Sequence, residues 1–184
     1  MTAQVHERLI LDGEPTTMAC TPPMNSQHPR LHCFTREEQL DAMKKSLAQA
    51  EEGRQAGRRP FPGIDYINST ACWRRYIGTW EIKDGRLFLN AVEGNQYKIL
   101  GDEPLFADWV IGVLRVPQGK FHRYVHAGFA SRYETELFIK IRKGEVVDRL
   151  VIDNREASGG DLRRNNLYGH ECFFEEEFPE DFWW

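Results

Sequence analysis

No apolar run in this sequence approaches the roughly 18–20 residues that a membrane-spanning helix requires. The opening residues, MTAQVHERLILDGEP, lack the charged-then-apolar layout of a secretory signal, because a glutamate and an arginine precede a very short apolar run. Both absences predict a cytoplasmic chain with no membrane partner. There is no C-x-x-C pair. The four cysteines, Cys20, Cys33, Cys72 and Cys172, are scattered, and in a reducing compartment four free thiols are expected. No glycine-rich phosphate loop leads a strand into a helix, which excludes the standard nucleotide folds. Nor is there a surplus of cations. The formal net charge is −4 over 184 residues, which argues against broad electrostatic attachment to nucleic acid or anionic lipid.

What the sequence does have is hairpin punctuation. Asp12-Gly13, Asp84-Gly85 and Lys143-Gly144 each separate two extended runs. A type I′ turn needs positive φ at both central residues, which Asp tolerates and Gly accepts freely. Pro117-Gln118-Gly119 reads as a fourth turn, between ADWVIGVLRV and KFHRYVHAG. Four hairpins predict a mainly β, α+β fold: an antiparallel curved sheet or partly closed barrel. One segment differs. Thr35 and Glu38 make a capping box, Leu40, Met43, Leu47 and Ala50 recur at helical spacing, and Gly53 is a stop. A helix over 35–53 is expected to cover the sheet.

The length suits one domain spanning 1–184. Within it we expect an N-terminal hairpin at 7–20, the helix at 35–53 and an antiparallel meander at 72–153. A loop and an acidic, aromatic tail follow at 154–184. That tail, ECFFEEEFPEDFWW, carries six acids and no base. It is expected to pack on its own domain or to dock as a peptide on a basic groove. The stretch 54–75 is its opposite, with Arg54, Arg58, Arg59, Arg74 and Arg75.

Period-two alternation assigns faces. With a two-residue turn at Asp84-Gly85, Ile82 pairs with Leu87 and Trp80 with Leu89, and this face is the core. Gly78 sits mid-strand on it, where it leaves room for Trp80 or Tyr76. In the Lys143 hairpin, Leu137, Ile139, Ile141, Val146, Leu150 and Ile152 share one side. Asp148 falls on that side opposite Ile139, at an open end or as a buried acid needing a partner. His122, Tyr124 and His126 lie at i, i+2 and i+4 and so share a face, which either turn geometry places among hydrophobic neighbours. Apolar walls with a few convergent polar groups describe a ligand site.

Several chemistries compete for these residues. His122 and His126 are good donors for Zn²⁺, but a third ligand must come through the fold, from Asp148, His170 or Cys172. The spacings of HPRLHC and GHEC match no standard zinc finger. No cofactor is therefore expected. His126 is also a candidate general base, with Cys72 and Ser131 the nearest nucleophile types in suggestive surroundings. The arginines after Cys72 would lower its thiol pKa, while burial as a structural cysteine is the commoner fate. Trp73, Arg75, Arg58 and Arg59 form an arginine-rich rim able to stack a base and hold phosphate.

The run WRRYIGTWEIKDGRLFL, followed by YVHAGFASRYE, resembles bacterial proteins of about this length that share a WRxYxGTWEIKDGxLxL hairpin and a YVHxGxxSxYE strand. The resemblance covers most of residues 7 to 154 and implies no activity, substrate or catalytic residue. GTW also resembles the Gly-x-Trp of lipocalins. There it opens the first strand of a barrel, whereas here it follows a hairpin and a helix.

The leading reading is a non-catalytic cytosolic binding protein, regulatory or toxin-neutralising in type, that takes a small molecule or a protein partner. Its ligand-binding residues are His122, Tyr124, His126, Trp73, Arg75, Arg58 and Arg59. The alternative is a hydrolase using His122 and His126, with or without a metal. Nucleic-acid or nucleotide binding through the arginine rim ranks third.

Overall fold

The computed structural model describes residues 2–55, 67 and 69–155. Arg58, Arg59, His170, Cys172 and the acidic tail lie outside the described residues, as does nearly all of the second long loop. Among the described residues, ten strands and one helix follow in order: β1 (Glu7–Leu11), β2 (Glu14–Met18), β3 (Leu31–Cys33), α1 (Arg36–Gln55), β4 (Tyr76–Lys83), β5 (Arg86–Gly94), β6 (Tyr97–Ile99), β7 (Leu105–Phe106), β8 (Gly112–Arg123), β9 (Arg132–Arg142) and β10 (Glu145–Asp153).

Eight of the strands form one large sheet in the order β2-β1-β4-β5-β10-β9-β8, with β7 beside β5, while β3 and β6 make a separate ribbon. The sheet curves without closing. The Ala19 N–H donates to the Arg115 carbonyl (2.8 Å) and so brings the two ends together, but no ladder joins β2 to β8. The fold is β-rich α+β, as the turn chemistry predicts. No described helix is long and apolar enough to cross a membrane.

Three of the four turns form as their residues require. Asp12 and Gly13, Asp84 and Gly85, and Lys143 and Gly144 all have positive φ, the pattern of type I′. Trp80 pairs with Leu89 and Ile82 with Leu87. All four side chains are fully buried in the main core with Leu9, Met18, Leu114 and Ile139.

Four expectations need correcting. The sheet is mixed, because β1 runs parallel to β4, with Leu9 beside Trp80. Parallel neighbours need a long crossover, and residues 19–75 supply it. Pro117 is not a turn residue either: β8 runs through it, pairing Pro117 with Glu136. The Arg115 carbonyl points away from β9, toward Ala19, so Pro117, two residues on, has its missing N–H on the outer edge. Gly119 (φ 76°) instead serves a bulge between Gln118 and Phe121.

The helix does not cover the sheet. The capping box forms, with the Thr35 N–H on Glu38 (2.7 Å) and the Glu38 N–H on the Thr35 hydroxyl (3.3 Å). Leu40, Met43 and Leu47 nevertheless remain about half exposed. Among the described residues, Met24, Leu31, Leu105 and Val110 belong to the core cluster of the sheet, and the stripe of α1 does not.

Finally, Cys20 is disulfide-bonded, whereas Cys33 and Cys72 are free. The expectation of four free thiols fails at Cys20.

Candidate functional site

Two of the regions singled out in the sequence meet at one end of the sheet, through residues that were not singled out. The first is the turn at 69–75. The Cys72 N–H donates to the Ser69 carbonyl and the Arg75 N–H to the Cys72 carbonyl, each at 3.0 Å. The second is the return loop 124–131, where the Ser131 hydroxyl accepts from the Val125 N–H (3.1 Å) and donates to the Val125 carbonyl (3.2 Å).

Residues 2–5 stitch the two together. The Gln4 N–H donates to the Gly128 carbonyl (2.8 Å) and the Gly128 N–H to the Thr2 carbonyl (3.2 Å). The Gln4 side chain donates to the Thr70 carbonyl (2.9 Å) and accepts from the Trp73 N–H (3.0 Å). The Val5 N–H adds a bond to the Ala71 carbonyl (2.8 Å). Gln4 thus touches both loops, and nothing in its sequence surroundings marks it.

Below the 69–75 turn lies a buried ion pair. Glu7 begins β1 on the same face as Leu9 and is fully buried. Arg74 contacts its carboxylate and also donates to the Val5 carbonyl (2.9 Å). The Gly78 N–H donates to the same carboxylate, and the Trp80 indole N–H approaches it at 3.4 Å. This explains the mid-strand glycine. A Cβ at Gly78 would stand 2.5 Å from Trp80 Nε1 and 2.7 Å from Glu7 Oε2. Room for Trp80 is what the sequence suggested; the acid sharing that room is new. Burial raises the Glu7 carboxyl to about 7, against the pull of Arg74, Gly78 and Trp80.

The 124–131 loop rests on a second pair. Arg115 and Glu136 are both buried and in contact. The Arg115 guanidinium also donates to the carbonyls of Phe129 (2.7 Å) and Ser131 (2.9 Å). His6 lies close by, ring to ring with Phe129 (5.8 Å) and Tyr133 (6.2 Å). Burial chiefly, then Arg115 and Arg74, lowers its pKa to about 4, so it is neutral in the fold at pH 7.

Above these supports the side chains face water. Trp73 is 57% exposed and Tyr124 60%. Arg75, His122 and His126 are exposed as well, and Arg75 holds a left-handed φ of 54°. The Tyr124 hydroxyl and His126 Nδ1 are 2.7 Å apart. Phe121, also exposed, leans on Tyr133 (4.7 Å between centroids) and Tyr124 (6.2 Å). The row His122, Tyr124, His126 therefore does not stand on an apolar sheet face. The bulge after Gly119 and the end of β8 at Arg123 carry it outward.

The chemical candidates fare differently. Cys72 is buried, its thiol donates to the Tyr76 carbonyl (3.3 Å), and burial raises its pKa. That is a structural cysteine, not a poised nucleophile. Ser131 is occupied by the Val125 backbone. Asp148 is exposed and accepts from the Arg149 N–H (2.7 Å), too far along β10 to be read as a buried acid. Among the described residues no group of three or more His, Cys, Asp or Glu is placed to hold a metal.

No family model matches the chain, and no curated protein or solved structure shows significant similarity to it.

Proposed function

We propose that this is a non-catalytic binding protein that recognises a protein partner through the rim formed by residues 69–75 and 120–131. One observation carries the reading. Trp73 and Tyr124 are each more than half exposed, yet each sits on a loop whose backbone is fixed by hydrogen bonds from Gln4 or Ser131. Rigid exposed aromatics with arginine nearby are what interface hot spots are made of, because little entropy remains to be lost on binding. Small-molecule sites enclose most of their ligand, and side chains this exposed favour a larger partner.

The rim's exposed side chains include three cations, Arg75, Lys120 and Arg123. They suit an acidic face on the partner and predict association that weakens with salt. The hydrolase reading is weakened by the burial of Cys72 and the engagement of Ser131.

Affinity capture with quantitative mass spectrometry tests the reading. Partners held by the wild-type chain should drop by at least about tenfold with Trp73→Ala and with Tyr124→Ala, the loss expected of a hot-spot truncation. Melting curves should stay near wild type. A partner retained equally by all three chains contradicts the proposal.

A further inference from the structure

We propose that the outer edge of β10 is a self-association surface that pairs antiparallel with β10 of a second copy. This surface is separate from the rim and does not depend on it.

The sheet splits beside this strand. On one side β10 pairs with β9 from Glu145 to Asp153. On the other it meets β5 only at Glu145 and Arg86, with the Val146 N–H on the Gly85 carbonyl. From Phe88 onward that flank of β5 is taken by β7. Among the described residues, no strand pairs the outer edge of β10 beyond Val146, and the Arg149 side chain there reaches Asp12 of the β1–β2 turn (2.7 Å). Val147 (49%), Leu150 (37%) and Val151 (59%) are exposed along it. A long open edge with apolar side chains is a template for another strand.

The direction of the backbone groups fixes what can bind. A bulge at Val147 shifts the β9 register, so that Asp148 faces Lys140 and Leu150 faces Phe138. This corrects the expected pairing of Asp148 with Ile139 and moves Leu150 off the Ile139 face. The Asn154 N–H donates to the Glu134 carbonyl (2.8 Å), which assigns the even residues to β9. Arg149, Val151 and Asp153 therefore point their N–H and C=O groups outward. Consistent with this, the Arg149 N–H is satisfied by the Asp148 side chain (2.7 Å).

A two-fold register centred on Val151 is then self-complementary. It sets Val151 opposite itself and Leu150 opposite Ile152 of the partner subunit. Arg149 comes opposite Asp153 of the partner subunit, an exchange for the ion pairs that Arg149 makes with Asp12 and Asp153 with Arg155 within one chain. The charge match occurs twice by symmetry, and the three outward-facing residues form hydrogen-bonded pairs once the Asp148 side chain releases the Arg149 N–H.

Sedimentation of the full chain tests this. The wild type should dimerise, and Val151→Lys, which puts like charges on the two-fold axis, should raise the dissociation constant by at least about tenfold. Arg149→Asp should do the same. Arg149→Asp combined with Asp153→Arg should restore the dimer, a rescue that a general loss of fold would not allow. A wild-type chain that stays monomeric to roughly 100 µM overturns the proposal. So does a dimer that ignores Val151→Lys, or a charge-swapped chain that does not recover.

Discussion

Replacing Glu7 with alanine is expected to cost about 3–5 kcal/mol at neutral pH, the range for removing one partner of a buried charge pair. The substitution leaves the largely buried Arg74 guanidinium without its carboxylate, and the Gly78 and Trp80 N–H groups without an acceptor. Most single domains have only about 5–15 kcal/mol in hand, so urea unfolding will register the change. Glu7→Gln keeps an oxygen for Gly78 and Trp80 and should cost less. The pair of variants also carries a pH signature. The folded carboxyl, at about 7, lies above its unfolded value of 4.5. The stability this shift contributes is fully present below pH 4.5 and is lost as pH rises through about 7. Wild type should therefore lose ground to Glu7→Gln across that window. His6, shifted the opposite way, is common to both chains and largely drops out of the difference. A cost below about 1 kcal/mol for Glu7→Ala would contradict the buried pair.

The second large effect is expected at Arg115. Arg115→Ala strands Glu136 as a buried acid and deprives the Phe129 and Ser131 carbonyls of their donor. A loss of about 3–5 kcal/mol is again expected. Amide exchange in 124–131 should quicken more than in β9, because the guanidinium is the main clamp holding that loop to the sheet. Replacing the pair together, Arg115→Met with Glu136→Leu, should recover much of the stability, since no buried charge is then left alone. It should not restore slow exchange in the loop, which would still lack its donor. If the single variant unfolds like wild type, the clamp is not what fixes the loop.

Local chemistry made part of this legible in the sequence. Asp-Gly and Lys-Gly at the three turns, the Thr35–Glu38 box and the alternation around Trp80 each depend on residues a few positions apart. What escaped depends on long-range neighbours. The crossover length permits β1 to lie parallel to β4 but does not require it. Pro117 resembles a turn residue until β8 is known to be an edge strand. The stripe of α1 has the right spacing to be buried, but it does not belong to the core cluster. Glu7 shares the inward parity of Leu9, so the alternation of β1 itself places an acid on an apolar face in need of a partner. Arg74 could not be assigned to it from sequence, because the two are separated by most of the first half of the chain. The halves of the rim were each visible, at Trp73 and at Tyr124, while Gln4, which joins them, was not.

The central claim is that these two loops act as one binding face. Its most direct test is amide-exchange footprinting of the chain with and without its captured partner. Protection should appear together in 69–75 and 124–131 and be absent from the exposed stripe of α1. Protection confined to α1, or to only one of the two loops, would contradict it.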